Sequence, residues 1–286
     1  NMKNIHEFYL DTFRSAREFI LPYLTDYAKF SERLALKVDG VERGSNIQYS
    51  FDVALDEIIK KKIEEYGLEG KVFSEESGSY VSGEKNEYRV VFDPFCNSTL
   101  ASRGFLDGAC GISIFSWDYK LLASGILDYQ LGIFALVEKD QETKFFDVTS
   151  GAETPPKKKQ AESLEESWVA LAIENRSERN RYNEVREICD QAKRLIVGSG
   201  HAYWFRMAFG TLDVYLDPLG GERLYEMFAA SVAQGAGCVV TDRLGEVFDV
   251  GKYLKIFEES PEYRYYPVAA SNATLHRSVL NALKSI

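Results

Sequence analysis

Apolar side chains recur at helical spacing in the first part of the chain and in short runs of strand length further on. Helical spacing extends over about residues 5–36, where Pro22 marks a break or a kink, and again over about residues 53–66. The shorter runs predict strands, and the last three of them predict a meander. These runs cover residues 72–74, 89–92, 111–117, 121–127 and 132–137.

After Pro155-Pro156, predicted strands and helices alternate, which is typical of layered helices and sheets. The strands are predicted at 168–173, 195–197, 212–216, 238–241 and 266–270. The helices are predicted at 179–193, 201–209, 222–234 and from about Asn272. We therefore predict an N-terminal α+β subdomain over residues 1–155 and a C-terminal α/β subdomain over 156–286. A surface loop explains residues 151–160 equally well.

The composition and charge of the chain argue against some classes of binding partner. The 286 residues carry a formal net charge of -10 without a basic block, so we expect no nucleic-acid polymer as partner. No apolar run is long enough to cross a bilayer, and the first residues do not resemble a signal peptide, so we expect no membrane association. The four cysteines are scattered, which indicates a reducing cytoplasm.

Acidic residues occur where predicted elements begin or end. Glu75-Glu76 and Asp93 each follow a predicted strand, and Asp52 begins the second helix. A carboxylate at a strand end is held rigidly, and Mg²⁺ prefers one or two such groups with a carbonyl. Each position also has an ordinary explanation, namely a solvated acidic pair, an Asp-Pro turn and a helix cap.

The segment after Asp93-Pro94 reads Phe95-Cys96-Asn97-Ser98-Thr99. If a helix begins here, its free backbone N–H groups can hold a phosphate. A capped helix start without a ligand is the alternative. His201, which begins a predicted helix after Gly198-Ser199-Gly200, is interpreted as a packing residue, with substrate contact as the alternative.

Several motifs resemble, in order and spacing, those of the inositol monophosphatase superfamily. Ser74-Glu75-Glu76-Ser77-Gly78 and Asp93-Pro94-Phe95-Cys96-Asn97-Ser98-Thr99 are similar to its G/S-E-E-S/G and D-P-I/L-D-G-T/S-x-N patterns. Ser50-Phe51-Asp52 resembles its T-x-x-D segment, and further similarities lie within residues 194–200, 210–215 and 229–242. The matched pieces cover about residues 50–275. The superfamily also includes proteins that resemble fructose-1,6-bisphosphatase and adenosine-bisphosphate phosphatase.

This resemblance implies a fold and an activity. The fold would be an α+β or α/β layered αβαβα sandwich of the sugar-phosphatase type, often found as a homodimer. The activity would be Mg²⁺-dependent, lithium-sensitive hydrolysis of a small phosphate monoester. A small phosphorylated metabolite would then be the partner.

The resemblance also implies roles for individual residues. Asp52, Glu75 and Ser98 would be catalytic, with Asp52 and Ser98 orienting the attacking water. The metal ligands would be Glu75, Asp93, the backbone carbonyl of Phe95 and Glu226. Phosphate and substrate would contact Asn97, Ser98, Thr99 and Asp217, although a turn before Pro218 explains Asp217 equally well.

The chain departs from the superfamily pattern at the second metal. Cys96 replaces the second aspartate of D-P-x-D, and a thiol is a poor ligand for Mg²⁺. The usual W-D pair is missing, and Glu226 replaces its aspartate only with a small alignment gap; otherwise Tyr225 or Leu224 falls there. Asn97 replaces a glycine, a change that Asn tolerates because it adopts φ > 0 more readily than most residues. We therefore expect one Mg²⁺ site, with the second in question.

Two functions follow from these features. The first is a Mg²⁺-dependent phosphomonoesterase that acts on an inositol phosphate, a fructose bisphosphate or a nucleotide such as adenosine bisphosphate. The second is a catalytically impaired member that binds a ligand or supports assembly, because Cys96 occupies a metal position.

Overall fold

Two β-sheets form the frame of the protein. The computed structural model describes residues 4–31, 49–105, 107–157, 161–173 and 176–284. The strands of the first sheet are β1 (Gly70–Ser74), β2 (Gly78–Ser82), β3 (Tyr88–Cys96), β4 (Ala109–Ser116), β5 (Leu121–Asp128), β6 (Ile133–Glu138) and β7 (Lys144–Asp147). Their order across the sheet is β2-β1-β3-β4-β5-β6-β7. All pairs are antiparallel except β1 with β3, which run parallel.

The second sheet is smaller and mixed. Its strands are β8 (Trp168–Leu171), β9 (Arg194–Val197), β10 (Val214–Leu216), β11 (Val239–Asp242) and β12 (Pro267–Ala270). They are ordered β11-β12-β10-β8-β9. The pairs β10–β8 and β8–β9 are parallel, whereas β12 is antiparallel to both of its neighbours. The predicted alternation of helix and strand thus yields a partly parallel sheet.

Helices lie on the outer face of each sheet and between the two sheets. They are α1 (Ile5–Thr25), α2 (Ser50–Glu65), α3 (Ser98–Ala101), α4 (Arg176–Arg179), α5 (Arg186–Gln191), α6 (His201–Phe209), α7 (Leu224–Met227), α8 (Ala230–Gly235), α9 (Val250–Glu259) and α10 (Ala273–Lys284). Three 3₁₀ turns cover Tyr27–Ser31, Leu164–Glu166 and Tyr182–Glu184. Helices α1 and α2 pack on the first sheet, α6 and α8 contact both sheets, and α5 and α10 pack against each other, with α10 against the second sheet. This order confirms the predicted αβαβα sandwich.

The middle layer explains why α6 is apolar on nearly every face. Eight of its nine residues are buried, because sheets lie on both sides of the helix. Trp204 is fully buried, and its Nε1 donates to Glu222 Oε2 at 3.0 Å. Tyr203 and Trp204 both contact the ring of Tyr215 in the second sheet. Packing in this layer therefore joins the two sheets.

Two predicted helices are wrong as continuous elements. The stretch 179–193 is divided among the end of α4, a 3₁₀ turn and α5, because its first residues are polar and offer no apolar face to bury. The stretch 222–234 begins outside a helix, since Glu222 exchanges backbone hydrogen bonds with Tyr265. It is interrupted again where Ser231 Oγ donates to the carbonyl of Phe228.

The other predicted boundaries of helices and strands lie closer to the observed ones. Helix α1 ends at Thr25 with Pro22 inside it, and the rest of the predicted stretch beyond residue 31 lies outside the described residues. Helix α2 begins at Ser50, three residues before its predicted start. Strands β2 and β7 and helix α9 were not predicted. The first sheet ends at Asp147 and the second begins at Trp168, while the division at residue 155 stays a prediction. Within the described residues, no helix is long and apolar enough to cross a membrane.

The buried tryptophan of α6 gives a test of the middle layer. Trp204→Ala should lower the free energy of unfolding by about 3–5 kcal/mol, because it leaves a cavity and removes a donor to Glu222. Trp168→Ala is the matched control, since that side chain is 44% exposed, and should cost at most about 1 kcal/mol. Denaturant unfolding measures both values, and equal losses would contradict the assigned packing.

Candidate functional site

The parallel pairing of β1 with β3 brings Glu75 and Asp93 together. Ser74 lies opposite Phe92 in this register, so the next residue of each strand emerges at the same edge. The backbone N–H of Glu75 donates to the carbonyl of Phe92 at 3.2 Å. The carboxyl groups of Glu75 and Asp93 consequently lie within hydrogen-bonding reach of each other. Their roles as metal ligands remain predictions.

A buried carboxylate fixes the turn that carries Glu75. Ser74 Oγ donates to Asp56 Oδ1 and accepts the backbone N–H groups of Glu76 and Ser77, each at 3.1 Å. Lys60 Nζ contacts the other Asp56 oxygen at 2.7 Å. Asp56 was not singled out from the sequence, because nothing in its helical context shows that it meets Ser74.

A local turn at Asp93 directs the chain around the site. The backbone N–H of Phe95 donates to Asp93 Oδ1 at 2.9 Å, and the register of β3 with β4 shifts between Asp93 and Cys96. The Phe95 ring points into the core, where it stacks on Tyr129 with centroids 5.1 Å apart. A ligand role for Phe95 would therefore belong to its backbone carbonyl.

The structure brings Asp52 and Ser98 to the same place. Asp52 lies in the first turn of α2, is 1% exposed, and among the described residues neither of its oxygens has a hydrogen-bond partner of good geometry. Burial raises its pKa well above the usual value, Glu76 and Glu75 raise it further, and the Ser98 hydroxyl offsets part of this rise. The backbone N–H of Tyr49, the N-cap residue of α2, also lowers the pKa of Asp52 slightly, so the helix-cap interpretation of Asp52 stays open beside the catalytic one.

Ser98, Glu75 and Asp93 border a cleft of about 540 Å³, whereas Asp52 is buried behind Ser98 and is not among the residues that line it. The lining residues are Glu75, Glu76, Asp93, Phe95, Cys96, Asn97, Ser98, Thr99, Leu100, Ile173, Arg179, Val197, Gly198, Ser199 and Glu226. The cleft therefore joins the strand ends of the first sheet to the loop between β9 and α6. Arg179, which sequence reasoning missed, is the sole basic side chain among these lining residues.

Glu226 lies in the cleft, as the gapped alignment requires. It belongs to α7, and its Oε2 accepts the backbone N–H of Arg223 at 3.0 Å. Leu224 is buried, and the ring of Tyr225 packs against Phe257, so neither lines the cleft. Burial, and then Glu75, raise the pKa of Glu226 to about 7.

The electrostatics of the cleft favour a cation. Burial raises the pKa of Asp93 well above its ordinary value, and Glu75, Glu226 and Glu76 raise it further. Like charges gathered in a poorly hydrated place are stabilised by an ion of opposite charge. The oxygen donors of Glu75, Asp93 and the Phe95 carbonyl fit a hard divalent ion such as Mg²⁺. A position that includes Cys96 does not fit it.

Asn97 adopts the backbone conformation expected for a residue that replaces glycine. Its φ is 72° and its ψ is 29°, which is the left-handed region. Its Nδ2 donates to the carbonyl of Ser199 at 3.0 Å and so joins the end of β3 to the loop before α6. Ser98 and Thr99 begin α3 at the mouth of the cleft. Phosphate binding by Asn97, Ser98 and Thr99 remains a prediction.

Asp217 is placed differently from the other candidates. It is not among the residues that line the cleft, and its Oδ1 accepts the N–H groups of Gly220 and Gly221, each at 2.9 Å. This geometry matches the turn that was the alternative interpretation. Its contact with substrate hydroxyls remains a prediction.

His201 reaches the site although its interpretation from sequence was a packing role. The side chain is fully buried, with Nδ1 3.6 Å from Asp93 Oδ2 and Nε2 2.5 Å from the carbonyl oxygen of Tyr225. Burial lowers its pKa to about 4, so the ring is neutral near pH 7. Its place at a helix start after a glycine pair was the available signal, but sequence alone does not show that it meets Asp93.

Comparison with known proteins shows the fold. No protein-family model and no curated protein sequence matches the chain. Among solved structures, the extragenic suppressor protein SuhB of Bartonella henselae is 17% identical, with a TM-score of 0.76 over 97% of both chains. A Pyrococcus horikoshii protein with similarities for inositol-1 monophosphatase is 19% identical, with a TM-score of 0.73 over 99% of both chains. Staphylococcus aureus inositol monophosphatase-II, with inositol monophosphate bound, is 15% identical, with a TM-score of 0.69 over 98% of both chains. The inositol monophosphatase resemblance is thereby confirmed as a shared fold.

The raised pKa of Glu226 gives a pH-dependent test in metal-free protein. Because the folded-state pKa of about 7 exceeds the ordinary 4.5, the native state binds more protons between these values. This carboxyl therefore lowers stability as pH rises through that window. Glu226→Gln should gain about 3 kcal/mol relative to wild type between pH 4.5 and pH 8, measured by urea unfolding with chelator present. Glu259→Gln, at an exposed position, is the control, and the same trend in both variants would contradict the assignment.

Proposed function

We propose that this protein is a divalent-cation-dependent phosphomonoesterase that uses Mg²⁺ to hydrolyse a small phosphorylated metabolite. The observation that supports this most strongly is that Glu75, Asp93 and Ser98 line one cleft, with the Asp52 carboxyl buried beside the Ser98 hydroxyl. The fold shared with inositol monophosphatases makes that reaction class the first to test. A small molecule, with no nucleic-acid polymer and no membrane, is the proposed partner of a cytoplasmic homodimer.

Different side chains would have different roles in the hydrolysis. A bound Mg²⁺ would attract the phosphate oxygens and lower the pKa of the attacking water. Glu75, Asp93 and the Phe95 carbonyl would hold it. Asp52 and Ser98 would orient the water, since the Ser98 hydroxyl already interacts with the Asp52 carboxyl.

The phosphate and the rest of the substrate would bind on the other side of the cleft. The first backbone N–H groups of a helical turn have no partner within it, so Asn97, Ser98 and Thr99 would offer donors to the phosphate. Arg179, which also lines the cleft, would add a positive charge near the ester. An inositol phosphate is the first candidate substrate, and a fructose bisphosphate or adenosine bisphosphate follows.

Cys96 supports a second candidate function. Its thiol lies beside Asp93 in place of an oxygen ligand, and burial first, then Asp93, raises its pKa well above the ordinary value. A protein with an incomplete second metal position would keep the cleft and lose turnover. It would then bind a phosphorylated ligand or support an assembly.

Phosphate release from a panel of inositol, fructose and nucleotide phosphates tests the proposal. Wild-type protein should require Mg²⁺, and Glu75→Gln should lower kcat/KM at least about 100-fold by removing a metal ligand. Asp52→Asn should lower kcat more than it raises KM, because it acts on the water rather than on substrate binding. Glu84→Gln, at an exposed position in the loop before β3, is the control and should leave activity unchanged.

Cys96→Asp separates the two candidate functions. No turnover in wild type together with turnover in this variant would favour the binding module. No turnover in either protein on the whole panel, with Mg²⁺ binding intact, would refute the phosphomonoesterase.

A further inference from the structure

One cluster beside the cleft has the chemistry of a different ion. Asp93, Cys96 and His201 each present a ligand atom, all three atoms lie within 4.8 Å of one another, and all three residues are buried. A carboxylate, a thiol and an imidazole form a mixed donor set that suits Zn²⁺ and similar transition metals. The superfamily resemblance does not imply this set, because it expects oxygen donors here.

The tautomer of His201 follows from its surroundings. The carbonyl oxygen of Tyr225 only accepts hydrogen bonds, so the Nε2 that faces it at 2.5 Å must carry the proton. Nδ1 of the neutral ring then holds a lone pair. Among the described residues this buried atom has no hydrogen-bond partner, and it points to Asp93 Oδ2 at 3.6 Å. A hydrogen bond from one side of a ring that leaves the other nitrogen free is the usual arrangement of a metal-binding histidine.

The distance between the His201 and Asp93 ligand atoms suits an ion between them. Two tetrahedral ligands with bonds of about 2.1 Å to zinc lie about 3.4 Å apart. The 3.6 Å between His201 Nδ1 and Asp93 Oδ2 is too long for a hydrogen bond but close to this value. A carboxylate oxygen and an imidazole lone pair that face each other repel, and either a proton on Asp93 or a shared ion removes that repulsion.

Glycines on both sides leave room for the two unusual ligands. A Cβ on Gly200 would lie 2.3 Å from Cys96 Sγ, so only glycine lets the sulfur approach the start of α6. A Cβ on Gly111 would lie 2.9 Å from His201 Cε1. The backbone is thus shaped around the thiol and the imidazole.

We propose that Asp93, Cys96 and His201 form a binding site for one zinc-class transition-metal ion, with a fourth position that faces the cleft. Three protein ligands and an open position are the pattern of catalytic rather than structural zinc sites. Asp93 would be shared with the oxygen-donor position of Glu75. The site does not depend on phosphatase activity, since ion binding is measured directly.

Cobalt(II) is the probe, because its colour reports coordination and bound thiolate. Chelator-treated wild-type protein should bind one Co²⁺ with a thiolate-to-metal charge-transfer band and the intense visible bands of tetrahedral geometry. Zn²⁺ should displace it, and excess Mg²⁺ should not. Cys96→Ser should lose the charge-transfer band, and His201→Gln should weaken Co²⁺ binding by at least about tenfold. Cys110→Ser and His276→Gln, at buried positions outside the cluster, are the matched controls and should bind as wild type does.

Alkylation gives a second measurement that needs no variant. Zn²⁺ should protect Cys96 in wild-type protein from a thiol reagent under mild denaturant, with Cys110 as internal reference in the same mass spectrum. Binding without a charge-transfer band, a band that persists in Cys96→Ser, or no protection of Cys96 would overturn the proposal. A cobalt charge-transfer band in a protein without Mg²⁺-dependent turnover would support this metal site and contradict the proposed phosphomonoesterase. Mg²⁺-dependent turnover without the band would support the phosphomonoesterase and contradict the metal site.

Discussion

The parallel pairing of β1 with β3 is the constraint on which the rest of the site depends. It places Glu75 and Asp93 side by side, where burial and mutual repulsion raise the pKa of Asp93. Such a pair costs stability unless a proton or a cation lies between the carboxyl groups. The hydrogen bonds from Ser74 to Asp56 hold the turn and prevent the pair from separating. The sheet thus holds the two carboxyl groups so close together that a bound cation would reduce their repulsion.

The remaining elements bring further side chains to the Glu75–Asp93 pair, but they do not bring the pair itself together. The first turn of α2 supplies Asp52, and the bulge after Asp93 turns Cys96 toward the second half of the chain. Asn97 then joins that bulge to the loop before α6 through the Ser199 carbonyl. Residues from both halves of the chain therefore line the cleft, and α6 packs between the two sheets beside it. A change in the middle layer would be expected to affect the site as well as stability.

Local pattern predicted much of the fold, and the misses share a physical cause. The strands β1 and β3, which lead to Glu75 and Asp93, were predicted because they contain buried apolar runs. Strand β2 is an edge strand whose Val81 is exposed, so it lacks that signal. Stretches 179–193 and 222–234 appeared helical, but tertiary hydrogen bonds such as those of Glu222 with Tyr265 override local preference. Asp56 and Arg179 were missed because their partners and surroundings are set only by long-range packing.

Cys96 and His201 are better understood together than separately. Taken alone, a thiol in place of an aspartate removes a ligand for a hard ion. A buried imidazole that begins α6 is, taken alone, a packing residue. The fold brings them together on either side of Asp93, and the glycines at 111 and 200 make space for both. Packing alone does not account for a buried Nδ1 that has no hydrogen-bond partner among the described residues and faces Asp93. The pairing of this nitrogen with the Cys96 thiol therefore favours the proposed transition-metal site over two unrelated packing contacts.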